Sequence, residues 1–304
     1  MTRVAVTSKS FARDPYLREE VLKRFPDTVF NDEQIRFDRD SLITFLEKAD
    51  RAIIALETIN EDVLLALPKL KVISKYGVGL DAIDIEAVRR HNIQLSWTPG
   101  VNKRSVTELV VAQIIAGLRH LYLSNSDIKN GVWQVRKSHQ LSTRTVGILG
   151  LGHVGQDLVQ LLSVFGCNII ATDIADREDF ANKNNIKMML LDDMLATSDI
   201  VSIHTPLDAT TRNMINAEAI AKMKSGALLV NYARGGIVCQ TAVREALDTG
   251  QLVGAIFDVF DQEPPVDMAL IAHPRFVASG HIGGSSYEAI RAMGMAAIDG
   301  LDID

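Results

Sequence analysis

The stretch "TVGILGLGHVGQDLVQLLSVFGCNIIATD", residues 145–173, leaves a chain few choices. An apolar run ends in Gly150, Gly152 and Gly155, a G-x-G-x-x-G string at the mouth of an amphipathic segment, and a second apolar run ends on Asp173, 23 residues after Gly150. Strand, tight turn, helix and strand in that order form half of a dinucleotide-binding unit. Gly150 permits the turn, Gly152 lets a diphosphate approach the backbone, and Gly155 lets the helix close on the strand. The helix amino terminus, with His153 and Val154 at its mouth, then faces the anion. A carboxylate at Asp173 accepts hydrogen bonds from a ribose and repels a 2'-phosphate, which favours NAD. Arg177, close by, leaves NADP open. A glycine string alone is weak; the coincidence with strand, helix and acid gives it weight.

Around this unit the chain alternates. Before it come apolar runs at 4–8, 28–32, 51–56, 71–77 and 93–97, separated by helical stretches that have Asp or Asn at or just before their starts. After residue 145 come "TVGILGLG", "NIIATD", "DIVSIHTP", "ALLVNYA", "GAIFDV" and "RFVASG", with helices expected at 154–165, 192–197, 216–223 and 240–248. Continuous apolar strands alternating with helices imply parallel sheets covered on both faces. "TPGVN" (98–102) marks a boundary, and the apolar stretch 105–121 reads as one long helix packed between domains or subunits. Glu108, Gln113 and Arg119 interrupt it and argue against a membrane span.

Bulk properties narrow the function classes. At 304 residues and net charge -6, the chain has no field to gather phosphate backbones, so nucleic acid is not the expected ligand. The acidic end "DGLDID" reads as a solvated tail. Cys167 and Cys239 have no metal or redox spacing and read as bystander thiols in a reducing compartment. No apolar run spans a bilayer and "MTRVAVTSKS" lacks a signal peptide's core, so the expected place is the cytoplasm. No histidine pair has metal-ligand spacing, and no metal is expected.

Five segments, "KYGVGLDAID" (75–84), the glycine string, "NYARGGIV" (231–238), "FDVFDQEPP" (257–265) and "SGHIGG" (279–284), together resemble the D-isomer-specific 2-hydroxyacid dehydrogenase family, in order and over nearly the whole chain. The branch most like this chain is that of phosphoglycerate dehydrogenase and glyoxylate or hydroxypyruvate reductase. The resemblance implies a catalytic set of Arg234, Glu263 and His281. The chemistry accounts for these types: moving a hydride between a 2-hydroxy acid and NAD needs a group that takes or gives the hydroxyl proton. An imidazole beside a carboxylate does both. Arg234 is expected to bind the substrate carboxylate and polarise the carbonyl through its planar fork.

The resemblance also implies that Asp258, Ala233, Gly283 and the turn His204-Thr205-Pro206 face the cofactor, with His204 structural rather than catalytic. A G-x-G turn such as Gly77-Val78-Gly79 is as readily a plain tight turn; the resemblance makes it a carboxylate-binding loop. The expected fold is α/β, with two doubly wound parallel-sheet domains. A Rossmann-type NAD domain, 100–285, is inserted in a flavodoxin-like substrate domain, 1–99 plus 286–304. The implied partners are a small 2-hydroxy or 2-keto acid and a second copy of the chain, joined through the helix at 105–121. No regulatory domain, and hence no feedback control of the serine type, is expected.

Departures qualify the substrate. "ETIN", with Glu57, stands where the phosphoglycerate branch has a phosphate-binding arginine segment, and a carboxylate there repels phosphate. Arg136 and Lys137 could substitute as anion contacts, a solvated loop being the equal reading. Val78 replaces the lysine of phosphite dehydrogenases, and Glu263 the glutamine of formate dehydrogenases. Gly280 replaces the usual proline before the histidine and is expected to loosen the loop. Tyr232 replaces a smaller residue and is expected to narrow the site. Two alternatives stay open: a same-fold enzyme acting on a phosphonate or other unusual acid, and an NADH-sensing corepressor-like binding protein.

Overall fold

In the computed structural model, which describes residues 2–302, every apolar run of the first hundred residues is a strand. They are β1 Val4–Val6, β2 Thr28–Phe30, β3 Arg51–Ile54, β4 Val72–Lys75 and β5 Gln94–Ser96. All pair in parallel in the order β2-β1-β3-β4-β5, the order of a flavodoxin-like sheet. The Asp and Asn signals act as caps: the side chains of Asp14, Asp38, Asn60 and Asp84 each accept an amide of the first turn of the following helix. Each such cap contributes about 1 kcal/mol. The helix Lys9–Arg13, capped by Ser8, adds an element that the sequence pattern did not announce.

The second sheet has seven strands: β6 Thr145–Leu149, β7 Asn168–Thr172, β8 Lys187–Met188, β9 Ile200–Ile203, β10 Ala227–Asn231, β11 Leu252–Phe257 and β12 Phe276–Ala278. Their order, β12-β11-β10-β9-β6-β7-β8, is wholly parallel and reverses direction between β6 and β9. β9 and β10 are buried throughout because helices cover both faces. Six of these strands answer to the expected runs. β8, two residues at the edge, and the short helices Glu178–Lys183 and Met268–Ile271 were not anticipated.

The chain divides into two compact units, 1–102 with 285–304, and 103–284. In the first, the terminal helix Tyr287–Asp299 packs on the helix Pro15–Arg24 and on β4, and Ser74 Oγ donates to Ala297 O at 2.7 Å. The acidic end is therefore not merely a solvated tail: Leu301 is fully buried, and Asp299 and Asp302 both pair with Arg24. Ile303 and Asp304 lie outside the described residues.

The apolar stretch 105–121 is also not one helix. The helix Lys103–Leu118 packs its Val106, Val110, Ile114 and Leu118 into the core beside β6, and a second helix, Leu121–Lys129, departs at 64°. The bend is at His120, whose left-handed backbone (φ 52°) breaks the helix. Among the described residues no single helix is long and apolar enough to cross a membrane; this bent pair passes by length and composition only, and its first half buries one face, Val106, Val110, Ile114 and Leu118, in the core. Cys167 and Cys239 are free and half-buried, and burial pushes the Cys167 thiol up.

Candidate active site

The chemistry-bearing residues lie just past the carboxyl ends of neighbouring strands of the second unit. Arg234 follows β10, Glu263 follows β11, and His281 follows β12, and these three strands are adjacent. Hydrogen bonding down the sheet thus gathers residues far apart in sequence. His281 Nδ1 lies 2.9 Å from Glu263 Oε2, both side chains being nearly half exposed. Glu263 is itself braced, its Oε1 accepting the Phe260 amide at 3.1 Å.

The carboxylate of Asp258, buried at the end of β11, shapes the histidine turn. Oδ1 accepts the Ile282 amide at 2.9 Å and the Ser279 hydroxyl at 2.5 Å, and Oδ2 accepts the Gly283 amide at 2.7 Å. The His281 amide donates to the Asp258 carbonyl at 2.8 Å. These bonds hold His281 in the left-handed region, φ 56°, a conformation costly for a non-glycine residue. Gly283 is buried, and its carbonyl accepts Ser105 Oγ at 2.7 Å.

The arginine turn is braced by a residue that the sequence reading passed over. Asn231, fully buried at the end of β10, accepts the Ala233 amide at its Oδ1 and donates from Nδ2 to the Arg234 carbonyl. An Asn closing its own backbone two residues on is a turn signal, and "NYARG" carried it. Arg234 Nη1 donates to the Ala233 carbonyl at 2.8 Å. Gly235 has backbone against it: a Cβ there would lie 2.0 Å from the Phe260 carbonyl carbon. The two loops carrying Arg234 and Glu263 therefore touch backbone to backbone.

The nucleotide turn sits where the sheet order reverses, the position at which open α/β sheets hold ligands. Gly150, at φ 97°, lies against the His204 carbonyl and the Thr205 side chain after β9; a Cβ on it would be 2.9 Å from each. A Cβ on Gly155 would be 2.0 Å from the Gly150 oxygen, whereas one on Gly152 would meet nothing within 4 Å. The helix His153–Ser163 starts at Gly152 with no side-chain cap, and Val154 is half-buried in its first turn. Asp173 accepts the Leu151 amide at 2.6 Å and the Ala175 amide at 2.8 Å, with Arg177 Nε 3.7 Å away. It braces the turn while one lone pair on each oxygen remains for a ribose.

Two buried polar atoms beside Gly150, His204 Nδ1 and Thr205 Oγ1, have no hydrogen-bond partner among the described residues. The other ring nitrogen of His204 meets Ser202 Oγ at 2.8 Å, and burial drives its pKa down to about 3, so the ring is neutral. Open space over Gly152, an uncapped helix end, a ribose-height carboxylate and unpaired polar atoms together fit a dinucleotide. Among the described residues no cluster of His, Cys, Asp or Glu could hold a metal ion.

Other expected groups fall elsewhere. Gly77 adopts φ 117° after β4, Val78 O accepts Trp97 Nε1, and Gly79 completes the turn, all in the first unit. Arg136 is committed to Asp127, donating from Nε and Nη2 at 3.1 and 2.7 Å, which corrects its reading as an anion contact. Tyr232 is buried with its hydroxyl 3.4 Å from Ser279 Oγ, so its ring packs within the core rather than narrowing an open site.

Residues 111–283 match the model of the D-isomer specific 2-hydroxyacid dehydrogenase, NAD binding domain. The chain belongs to this family. It is 36% identical over 233 residues to a D-3-phosphoglycerate dehydrogenase of Bacillus subtilis, covering 76% of this chain and 44% of that one. It is 34% identical to the hydroxypyruvate reductase of Thermotoga maritima, covering 86% and 87%. A glyoxylate reductase from Paecilomyes thermophila superimposes with a TM-score of 0.86 at 25% identity, over 98% and 94%. The chain spans about half the length of the curated phosphoglycerate dehydrogenases it matches. The family is one of NAD-dependent oxidoreductases, and the nucleotide turn is that of its NAD-binding domain.

Proposed function

We propose that the protein interconverts a small unphosphorylated D-2-hydroxy acid and its 2-keto acid, of the glyoxylate or hydroxypyruvate class, with NAD. The reading is carried by the 2.9 Å contact of His281 Nδ1 with a Glu263 carboxylate that is itself tied to the backbone. With Nδ1 donating to that carboxylate, Nε2 is left to hand a proton to the carbonyl oxygen as it gains negative charge, or to remove it in the reverse direction. Glu263 orients the ring and offsets the charge of the imidazolium. Arg234 takes the substrate carboxylate through its planar fork. The Gly77-Val78-Gly79 turn, in the unit that we read as the substrate domain, keeps its reading as an anion-binding loop. NADH supplies the hydride.

Gly150, Gly152, His153, Val154 and Gly155 would cradle the diphosphate and Asp173 the ribose. His204, Thr205, Pro206, Ala233, Asp258 and Gly283 would line the nicotinamide side. Glu57, whose carboxylate accepts the Ala55 amide just past β3, supports an acid without a phosphate, since a fixed anion repels a second one.

We also propose a cytoplasmic homodimer. Support comes from the apolar side chains exposed on the helix Leu121–Lys129 and the loop after it, with Trp133 86% and Val135 87% exposed. The function test follows NADH absorbance against glyoxylate, hydroxypyruvate, phosphohydroxypyruvate, pyruvate, 2-ketoglutarate and phosphonate analogues. His281→Ala and Arg234→Ala are expected to abolish turnover while NADH still binds; turnover in both variants would overturn the assignment.

A further inference from the structure

Behind the histidine turn runs a chain of side chains that the reaction itself does not use. Tyr232 lies 3.4 Å from Ser279 Oγ, which lies 2.5 Å from Asp258 Oδ1. Tyr232 and Asp258 are each at most 7% exposed. A hydroxyl has one hydrogen, and that of Ser279 is fixed on the carboxylate, because an ionised carboxylate only accepts. Tyr232 must therefore donate to Ser279. Every link points the same way and ends on Asp258. Burial pushes the Tyr232 pKa up to about 12, which keeps the phenol a neutral donor.

Asp258 in turn accepts the Ile282 and Gly283 amides that directly follow His281. Gly280 supplies no stiffness of its own: a Cβ there would meet nothing within 4 Å. We infer that Tyr232 and Ser279 are positioning residues, a buried donor chain that orients the Asp258 carboxylate and through it fixes the turn presenting His281. Neither touches the reacting atoms. The inference deepens the proposed role of His281 and rests on it for the kinetic half of its test.

The test uses the full chain carrying Tyr232→Phe, Ser279→Ala or Ser279→Thr. The first readout is hydrogen–deuterium exchange of the segment 279–284 without substrate. The second is kcat, set against KM for NADH. Losing a hydrogen bond to a charged group is expected to speed exchange of the Ile282 and Gly283 amides about tenfold and to lower kcat by a similar factor. KM for NADH should rise by less than kcat falls, because the diphosphate and ribose contacts after β6 and β7 are untouched even though Asp258 and Gly283 border the nicotinamide. Ser279→Thr, which returns the hydroxyl, should recover most of both. Unchanged exchange in folded Ser279→Ala, or faster exchange with undiminished kcat, overturns the positioning role. Faster exchange in a protein whose wild type turns over none of the acids supports the donor chain and overturns the dehydrogenase reading instead.

Discussion

Gly235→Ala isolates the contact between the arginine loop and the glutamate loop. An added Cβ would lie 2.0 Å from the Phe260 carbonyl carbon, 2.1 Å from its oxygen and 2.4 Å from the Asp261 nitrogen. All three are backbone atoms, so no rotamer change relieves the overlap. Ordinary contact begins at 3.4 Å, so the two loops must part by about 1.4 Å. The Phe260 amide holds Glu263 Oε1, so the displaced segment takes with it the carboxylate that faces His281. A misplacement of about 1 Å in a reacting constellation costs about a hundredfold in rate. Overpacking of this kind costs about 1–3 kcal/mol in stability, leaving a folded protein to assay.

Steady-state kinetics should therefore show kcat down about a hundredfold. NADH affinity from fluorescence titration should hold, because the glycine turn after β6 is untouched. Gly236→Ala is the control: its Cβ would meet only the tips of Arg212 and Leu207, at 3.2 to 3.4 Å, and flexible tips move aside. A folded Gly235→Ala protein with kcat within a few-fold of wild type would refute the idea that this backbone contact sets the geometry of Arg234 and Glu263.

Three other outcomes are expected. Gly152→Ala should leave the melting temperature of the cofactor-free protein near wild type, since nothing lies within 4 Å of the added methyl, yet weaken NADH binding at least tenfold by calorimetry; equal affinity would remove Gly152 from the diphosphate site. His204, held neutral by burial with a pKa near 3 against 6.5 in the unfolded chain, makes folding weaken as pH falls below 6.5. The unfolded state takes up a proton that the folded state refuses, so about 2 kcal/mol is lost by about pH 5. Denaturant unfolding of wild type and His204→Gln should show that extra loss in wild type alone, and parallel pH profiles would refute it. Trp133→Asp should convert a dimer to a monomer in sedimentation; a monomeric wild type would remove the assembly proposal.

Strand runs and the residues just past their ends were readable because both follow local rules: parallel strands buried on two faces are continuously apolar, and open α/β sheets work at their carboxyl ends. Those rules put Arg234, Glu263 and His281 just past strand ends, while it was the resemblance to the family that named them as a catalytic set. What holds them in place was not readable, because it lies across sequence distance. Ser279 reaches Asp258 over 21 positions, and the Phe260 backbone presses on Gly235 over a comparable gap. Asn231 was within reach, since an Asn at a strand end two residues before a tied amide is a turn signal. The bend at His120 was not: a histidine at φ 52° is set by tertiary packing, and an apolar run that continues past it hides the break. β8, two residues long at a sheet edge, is too short to show a period.

Tyr232 and Gly280 looked like unrelated departures from the family pattern, one crowding the site and one loosening it. In the structure they flank the same residue, Ser279, and act in opposite senses. A glycine in place of proline leaves the unfolded chain more freedom, a cost of about 0.4–1 kcal/mol. A hydroxyl bonded to a buried carboxylate returns about 1.5–3 kcal/mol, and the Tyr232 hydroxyl keeps that serine aimed. The tether outweighs the freedom. On the inferred donor chain a missing proline does not mean a loose turn at His281: the restraint lies in the side chains behind Gly280, and a substitution in the core at Tyr232 would be felt at His281.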